Sequence, residues 1–133
     1  MFRRKASPEI AAAASALEAV LDQLEPAKRA LVEVVPGTRL PGRPLDDALR
    51  TFVAGAELAR GLMAAWRRPE VEDAWSACWE GLDRSLGLAR ITLNGQREPE
   101  SFVELLEVVQ AVLDPLEPFA EAAAALSRVS QLT

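Results

Sequence analysis

Apolar residues recur at alternating spacings of three and four along four separate stretches of the chain, the first beginning at Ile10 and the last at Phe102. This spacing collects the apolar side chains on one side of an α-helix, because the helix turns once about every 3.6 residues. Val and Ile are too few and too helically spaced for a sheet. The pattern therefore predicts an all-α fold, in which four amphipathic helices bury their apolar sides as a four-helix bundle.

The predicted core consists of the apolar positions of these four helices. In the first helix they are Ile10, Ala13, Leu17, Val20, Leu24, Ala27, Leu31 and Val34. In the second helix they are Leu45, Leu49, Phe52, Ala56, Ala59, Met63 and Trp66. The third helix contributes Val71, Trp75, Cys78, Leu82, Leu86, Ala89 and Leu93. The fourth helix contributes Phe102, Leu106, Val109, Leu113, Leu116, Ala120 and Ala123.

Prolines lie inside the first and last helices without disturbing this pattern. They are Pro26 in the first helix and Pro115 and Pro118 in the last. Proline lacks an N–H group and its ring clashes with the preceding turn, so it usually kinks or ends a helix. Because the apolar spacing keeps its phase across these prolines, we predict that both helices are kinked but continuous.

The connections predict a single domain, 1–133, with antiparallel up-and-down topology. Residues 1–6 precede the helix cap at Ser7 and are expected to be flexible, and residues 36–44 form a loop rich in proline and glycine. The connection at Arg67 to Pro69 is short enough to force the second and third helices to pack antiparallel. The third helix ends either at Asn94 and Gly95 or, in an alternative, earlier at Gly87.

The net charge of the chain limits the kinds of partner that we expect it to bind. The chain has 20 acidic and 15 basic residues, a formal net charge of -5, and nucleic acids and anionic lipids bind proteins with the opposite excess. No stretch reaches the roughly 18 uncharged apolar residues that cross a bilayer. Glu9 separates the basic N-terminal residues from the first apolar run, unlike in a secretory signal. A single cysteine, Cys78, makes no internal disulfide, so we expect a cytoplasmic protein. From the charge and the hydropathy we expect no nucleic-acid partner and no membrane partner.

Candidate catalytic chemistry is scarce. The chain has no histidine and no tyrosine, which excludes His-based catalytic triads, the histidine ligands of di-iron bundles and every His-containing zinc site. The most notable carboxylates are Asp22, Glu25, Asp114 and Glu117, which lie at the proline kinks and could meet across the first and fourth helices. A structural role there is preferred. We therefore predict no catalytic residue, no cofactor and no metal site, and a protein that is not an enzyme.

Three tryptophans, Trp66, Trp75 and Trp79, are predicted to crowd one end of the bundle. In the preferred interpretation the rings fill space left by the alanine-rich helices around them, with Trp75 buried and Trp79 partly exposed. In the alternative they frame a pocket, with Arg67 and Arg68 at its rim, that binds a small apolar or amphipathic acid.

The fourth helix carries a second apolar row at intervals of seven residues. Its members are Leu105, Val112, Phe119 and Leu126. If neighbouring helices leave this row uncovered, it is available as a twofold interface, and the glycine-bearing side of the second helix is another candidate. We therefore predict a non-enzymatic interaction or scaffold protein that forms a homodimer or docks another protein. The alternative function is ligand binding at the tryptophan end.

Overall fold

A computed structural model describes residues 7–35, 44–95 and 99–132 of the 133-residue chain. Its α-helices in these ranges are α1 (Pro8–Val34), α2 (Pro44–Gly61), α3 (Glu72–Gly95), α4 (Phe102–Leu113) and α5 (Pro118–Leu132). Short 3₁₀ turns occupy Met63–Trp66, Pro69–Val71 and Asp114–Leu116. Helices α4 and α5 are the two parts of the fourth predicted helix. The all-α, four-helix prediction is therefore confirmed, with no strand in the described ranges.

All five helices contribute to one cluster of buried apolar residues, which is the core of the protein. The predicted flexible N-terminus, residues 1–6, lies outside the described residues, as does the predicted loop 36–44 apart from Pro44. Within the ranges that the structure describes, no helix has both the length and the apolar character needed to cross a membrane.

Helix α1 forms as the sequence predicts. The Ile10 amide donates a hydrogen bond of 3.2 Å to the Ser7 hydroxyl, which caps the start of the helix. All eight predicted core residues of this helix are buried. The helix continues through Pro26 without a break, so its predicted continuity is confirmed. The kink at Pro26 stays a prediction.

Helices α2 and α3 also bury their predicted apolar sides, with Leu93 half-buried. The main difference lies between them, because the α-helical bonding of α2 ends at Gly61, before Trp66. Glycine weakens a helix, and a 3₁₀ turn is a common way to finish one. Helix α3 continues through Gly87 to Gly95, so the later of its two predicted ends is the right one.

Two ion pairs connect α2 to α3. Glu57 pairs with Arg90, and three residues later in α2, Arg60 pairs with Asp83 at 3.1 Å. This order of the two pairs is the one expected of antiparallel neighbours, and the antiparallel up-and-down topology stays a prediction. Both pairs are partly exposed and add little stability. They mark the side of α2 that faces α3.

The predicted core is wrong in the fourth helix. The residues buried there are Leu105, Val109, Val112, Leu116, Phe119, Ala122 and Leu126. Of the predicted positions, only Val109 and Leu116 are buried, and Phe102 and Ala120 are exposed. This helix is apolar around much of its circumference, so the positions of its neighbours decide which row is central. The spacing of three and four nevertheless continues among the buried residues across Asp114–Leu116. The α-helix itself is interrupted there by a 3₁₀ turn, so the predicted continuous helix is only partly right, and its kink stays a prediction.

Helix α3 packs closely on the joint between α4 and α5. A Cβ atom placed on Gly81 would lie 2.0 Å from the Pro115 carbonyl oxygen, so only glycine fits there. One turn further along α3, the buried Ser85 hydroxyl donates a hydrogen bond of 2.5 Å to the Val112 carbonyl. In the 3₁₀ pattern that carbonyl would accept from the amide of residue 115, which proline lacks. Ser85 therefore supplies the missing donor.

Candidate functional site

The tryptophan end of the bundle is filled by its own side chains. Trp66 and Trp75 are buried, at 0% and 7% exposure. Trp66 Nε1 donates a hydrogen bond to the Met63 sulfur at 3.3 Å, and Trp75 Nε1 donates to the Met63 carbonyl oxygen at 2.8 Å. A buried indole N–H without a partner is costly, so these two bonds orient both rings.

Trp79 and two arginines extend this packing into a stack of planar groups. The Trp75 and Trp79 rings stack with their centroids 5.3 Å apart and their planes inclined by 9°. The guanidinium of Arg67 lies 4.1 Å from the Trp75 ring centre, and that of Arg60 lies 5.0 Å from the Trp79 ring centre. Cations are attracted to the faces of aromatic rings. Each ring therefore contacts one cation as well as the other ring.

The arginines at this end also pair with carboxylates. Arg67 donates to Glu72 through Nη2 at 2.7 Å and through Nε at 3.1 Å. These side-chain hydrogen bonds lower the pKa of Glu72 below its ordinary value and raise that of Arg67. Arg68 lies 4.0 Å from Glu70, and Arg60 pairs with α3. The basic rim predicted for a pocket is therefore matched by negative charge at close range.

The residues of the predicted tryptophan site are only partly brought together. Trp75, Trp79 and Arg67 form one contact group, whereas Trp66 lies inside the core and Arg68 is paired elsewhere. The burial of Trp75 and the partial exposure of Trp79 agree with the core interpretation. The faces of the stacked rings and the indole N–H groups of Trp66 and Trp75 are engaged within the chain, whereas the buried Arg68 Nε has no hydrogen-bond partner among the described residues. Binding of an amphipathic acid stays a prediction.

A groove of about 380 Å³ lies where α3 meets the α4–α5 joint. Its lining residues are Ala77, Glu80, Gly81, Arg84, Asp114, Pro115, Glu117, Pro118 and Glu121. Four carboxylates and one cation make it acidic. Asp114 and Glu117 therefore meet residues of α3 here, and neither Asp22 nor Glu25 lines the groove. In the described part of the chain, no group of three or more potential ligands could hold a metal ion.

Cys78 is a free thiol in the core, at 0% exposure. Burial raises the pKa of this thiol to about 12, and the negative charge of Glu121 adds to the effect. A thiol reacts as its thiolate, so Cys78 is inert at neutral pH. It serves as a small apolar side chain, as its core position predicts.

The second apolar row of the fourth helix does not face outward. Leu105, Val112, Phe119 and Leu126 are each at most 5% exposed and belong to the core of this chain. An interface needs exposed residues, so the proposal of this row as an interface is corrected. The cause is the packing of the fourth helix, whose neighbours lie on the side of this row and cover it.

Among the described residues, one outer face of the bundle contains two rows without charged side chains, although Asp22 of α1 and Asp47 of α2 border these rows one turn away. The face consists of the two adjacent rows, one on α1 and one on α2, and we call it the α1–α2 face. Its residues are Ala12, Ala16, Ala19, Gln23, Pro26, Ala30, Thr51, Ala54, Leu58, Gly61, Leu62 and Ala65. All of them are exposed or half-buried. Leu58 and Leu62, at 60% and 38% exposure, project from a surface made mostly of small residues.

The packing of α1 against α2 places these two rows side by side. A Cβ atom on Gly55 would lie 2.7 Å from the Ala27 Cβ and 3.0 Å from the Gln23 carbonyl oxygen. The two helices therefore touch closely at this point. Leu58 follows Gly55 by three residues and lies on the same side of α2, whereas Glu57 lies on the other side, where it pairs with α3.

Other exposed apolar residues lie beside charges. Ile91, at 70% exposure, directly follows Arg90 in α3. Phe102 and Val103, at 56% and 62% exposure, precede Glu104 at the start of α4. Single exposed apolar residues of this kind are common on soluble proteins. The α1–α2 face differs because its uncharged residues form a row along each of two packed helices.

The sequence pattern points to only half of this face. The glycine-bearing side of the second helix is a predicted interface candidate, but Gly55 packs against Ala27 of α1 within the chain, and of the glycines only Gly61 belongs to the α2 row. The α1 row is missed, although Ala12, Ala16 and Ala19 have the required spacing beside the core positions. The signal that would find it is the absence of charge along one side of an otherwise charged helix.

Comparison of the chain with protein-family models, with curated proteins and with solved structures finds no match. Function is therefore inferred from the geometry and chemistry of the described residues alone.

Proposed function

We propose that this protein is a non-enzymatic interaction or scaffold protein, which acts by self-association or by docking another protein through the α1–α2 face. The observation that carries the proposal is the lack of charge on this face, in a chain of which 26% of the residues are charged. The solvent-facing side of a helix normally carries charged and polar residues. An uncharged side with exposed leucines is typical of a surface that another protein covers.

Covering this face removes apolar surface from water at little cost. No ionised side chain of the face has to be desolvated, which is the costly step in many interfaces. Full burial of a leucine side chain contributes roughly 1.5–3 kcal/mol, and both Leu58 and Leu62 still have much of their surface to bury. The alanines and Gly61 lose almost no side-chain entropy when they are covered.

The shape of the face favours a helical partner. Small residues let the backbone of another helix approach closely, and Leu58 and Leu62, one turn apart, form a ridge that fits between side-chain rows of that helix. The contact at Gly55 holds α1 against α2, so the face is preformed. Docking then requires little ordering of the chain, which favours affinity.

The rest of the chain is consistent with a role that needs no catalysis. Cys78 is inert at neutral pH, and the arginines at the tryptophan end are paired with carboxylates. The net charge of -5 argues against nucleic acid or an anionic membrane as the partner. We place this activity in the cytoplasm, because a single buried thiol needs no oxidising compartment.

Site-specific photo-crosslinking in cells that express the full chain tests the proposal. A photoreactive amino acid replaces Leu58 in one variant and Ile91 in the matched control, since both are exposed apolar positions within α-helices. We expect discrete cross-linked products from position 58 and none from position 91.

Equal products from the two positions, or no product from position 58, would contradict the α1–α2 face as a docking surface. The mass of a product also separates a second copy of this chain from a different protein.

A further inference from the structure

We infer that the occupant of the α1–α2 face is the same face of a second copy of this chain, related to the first by a twofold axis. The inference rests on the proposed function, because it requires this face to be a docking surface. It adds the identity of the partner and the geometry of the contact. Shape, area and charge each favour it.

The face contains both halves of a complementary contact. Leu58 and Leu62 project from α2, whereas the adjoining row on α1 contains mainly alanines. In a twofold dimer, α1 of one copy packs across α2 of the other. Each leucine ridge then lies on the alanine row of the partner copy. Every contact is then made twice, as in an isologous interface.

The face is large enough for a dimer. Ala12 and Ala30 are 18 positions apart, which corresponds to about 27 Å along α1 at 1.5 Å per residue. Two helices packed 8–10 Å apart give the face a width of roughly 20 Å. Each copy therefore covers up to about 500 Å², and the pair up to about 1,000 Å², which is the lower limit for a specific interface.

The charge distribution selects this face for self-association. Each copy has a net charge of -5, so two copies repel one another where acidic surfaces meet. The groove lined by Glu80, Asp114, Glu117 and Glu121 is one such surface. The rows of the α1–α2 face contain no charged side chain, so copies meet there with less repulsion than at the groove. A strongly basic partner would gain nothing from this face.

Sedimentation equilibrium of the full chain tests the inference. The chain has a mass of 14.4 kDa, and the wild type should approach twice that mass as its concentration rises from about 1 µM to about 1 mM. The double variant Leu58→Glu, Leu62→Glu places carboxylates in the contact and should raise the dissociation constant at least about tenfold. The matched control Ile91→Glu, also at an exposed apolar position, should leave the dissociation constant unchanged. Circular dichroism confirms that each variant is folded.

A wild-type mass of 14.4 kDa at every concentration would overturn the inference. Dimerisation that survives the double substitution, or that Ile91→Glu weakens equally, would do the same. The proposed function survives these results if photo-crosslinking from position 58 yields a product with a different protein. If that product is also missing, both proposals fail.

Discussion

Trp75 is stacked on Trp79, contacts the guanidinium of Arg67 and donates its indole N–H to the Met63 carbonyl. Its side chain is only 7% exposed. Trp79 shares the stack but is half-buried, so less surface is lost when it is truncated. The core interpretation and the ligand-binding interpretation of the tryptophan end therefore make different predictions for alanine substitutions of Trp75 and Trp79.

Trp75→Ala should reduce the free energy of unfolding by roughly 3–5 kcal/mol, because it leaves a large cavity in the core. Trp79→Ala should cost less, since its ring is partly in water already. Urea unfolding of the two variants measures both values. If Trp75→Ala lies within about 1 kcal/mol of wild type, below the usual cost of losing a buried ring, the core interpretation is wrong and the ligand-binding alternative gains support.

Cys78 gives a prediction about pH. Its thiol has an ordinary pKa of 9.0, and burial raises the pKa to about 12 in the folded chain. Deprotonation therefore favours the unfolded chain, so the contribution of this thiol to stability is complete below pH 9.0 and is lost as the pH rises toward about 12. We expect the free energy of unfolding to fall more steeply across this window in wild type than in Cys78→Ala. Equal slopes would show that the buried thiol does not titrate as described.

Among the elements, the contact of α3 with the α4–α5 joint depends on two small residues. Gly81 lets the Pro115 carbonyl approach, and the Ser85 hydroxyl bonds to the Val112 carbonyl. Further along the same helix, a Cβ atom on Gly87 would meet nothing within 4 Å. Gly81 and Gly87 lie in the same helix, but only Gly81 has another backbone opposite it. Alanine substitutions at the two positions can therefore be compared directly.

Gly81→Ala should destabilise the protein by more than about 2 kcal/mol, because the new Cβ has to push the backbone at Pro115 away. Gly87→Ala should instead stabilise it by up to about 1 kcal/mol, because alanine forms helices more readily than glycine. Chemical unfolding of both variants gives the comparison. Similar effects of the same sign would contradict the close approach of α3 to the joint.

The sequence predicts a helix core best where the apolar row is narrow. In α1, every predicted residue from Ile10 to Val34 is buried, because polar residues or alanines flank most of the row, with Leu21, Val32 and Val35 among the exceptions. The fourth helix has adjacent apolar pairs such as Leu105 and Leu106. Its apolar spacing is therefore compatible with either of two neighbouring rows facing the core. The choice between them depends on where the neighbouring helices lie. Local sequence does not contain that information.

The α1–α2 face shows a second limit of prediction from sequence. Periodicity identifies residues that are buried, whereas this face is defined by exposed residues that lack charge. The row from Ala12 to Ala30 is visibly uncharged in the sequence. That it lies beside Leu58 and Leu62 follows only from the packing of α1 on α2 at Gly55.

For the whole molecule, the net charge of -5 and the uncharged face together predict how self-association responds to salt. Added ions screen the repulsion between two negative copies, since the Debye length falls from about 30 Å at 0.01 M to about 8 Å at 0.15 M. The proposed contact contains no ion pair that salt would weaken. We therefore expect the dissociation constant, measured by sedimentation, to fall between these two salt concentrations. A constant that rises with salt would indicate ion pairs across the interface.

Amide NMR spectra of the wild-type chain, recorded from dilute to concentrated solution, map the surface through which the copies meet. The two rows of the α1–α2 face, from Ala12 to Ala30 and from Thr51 to Ala65, should contain the amides whose signals shift or broaden. The Leu58→Glu, Leu62→Glu variant should show none of these changes. Signals that move around the acidic groove at Glu80 instead, or rows that stay unchanged at every concentration, would contradict the central claim that this protein associates through the α1–α2 face.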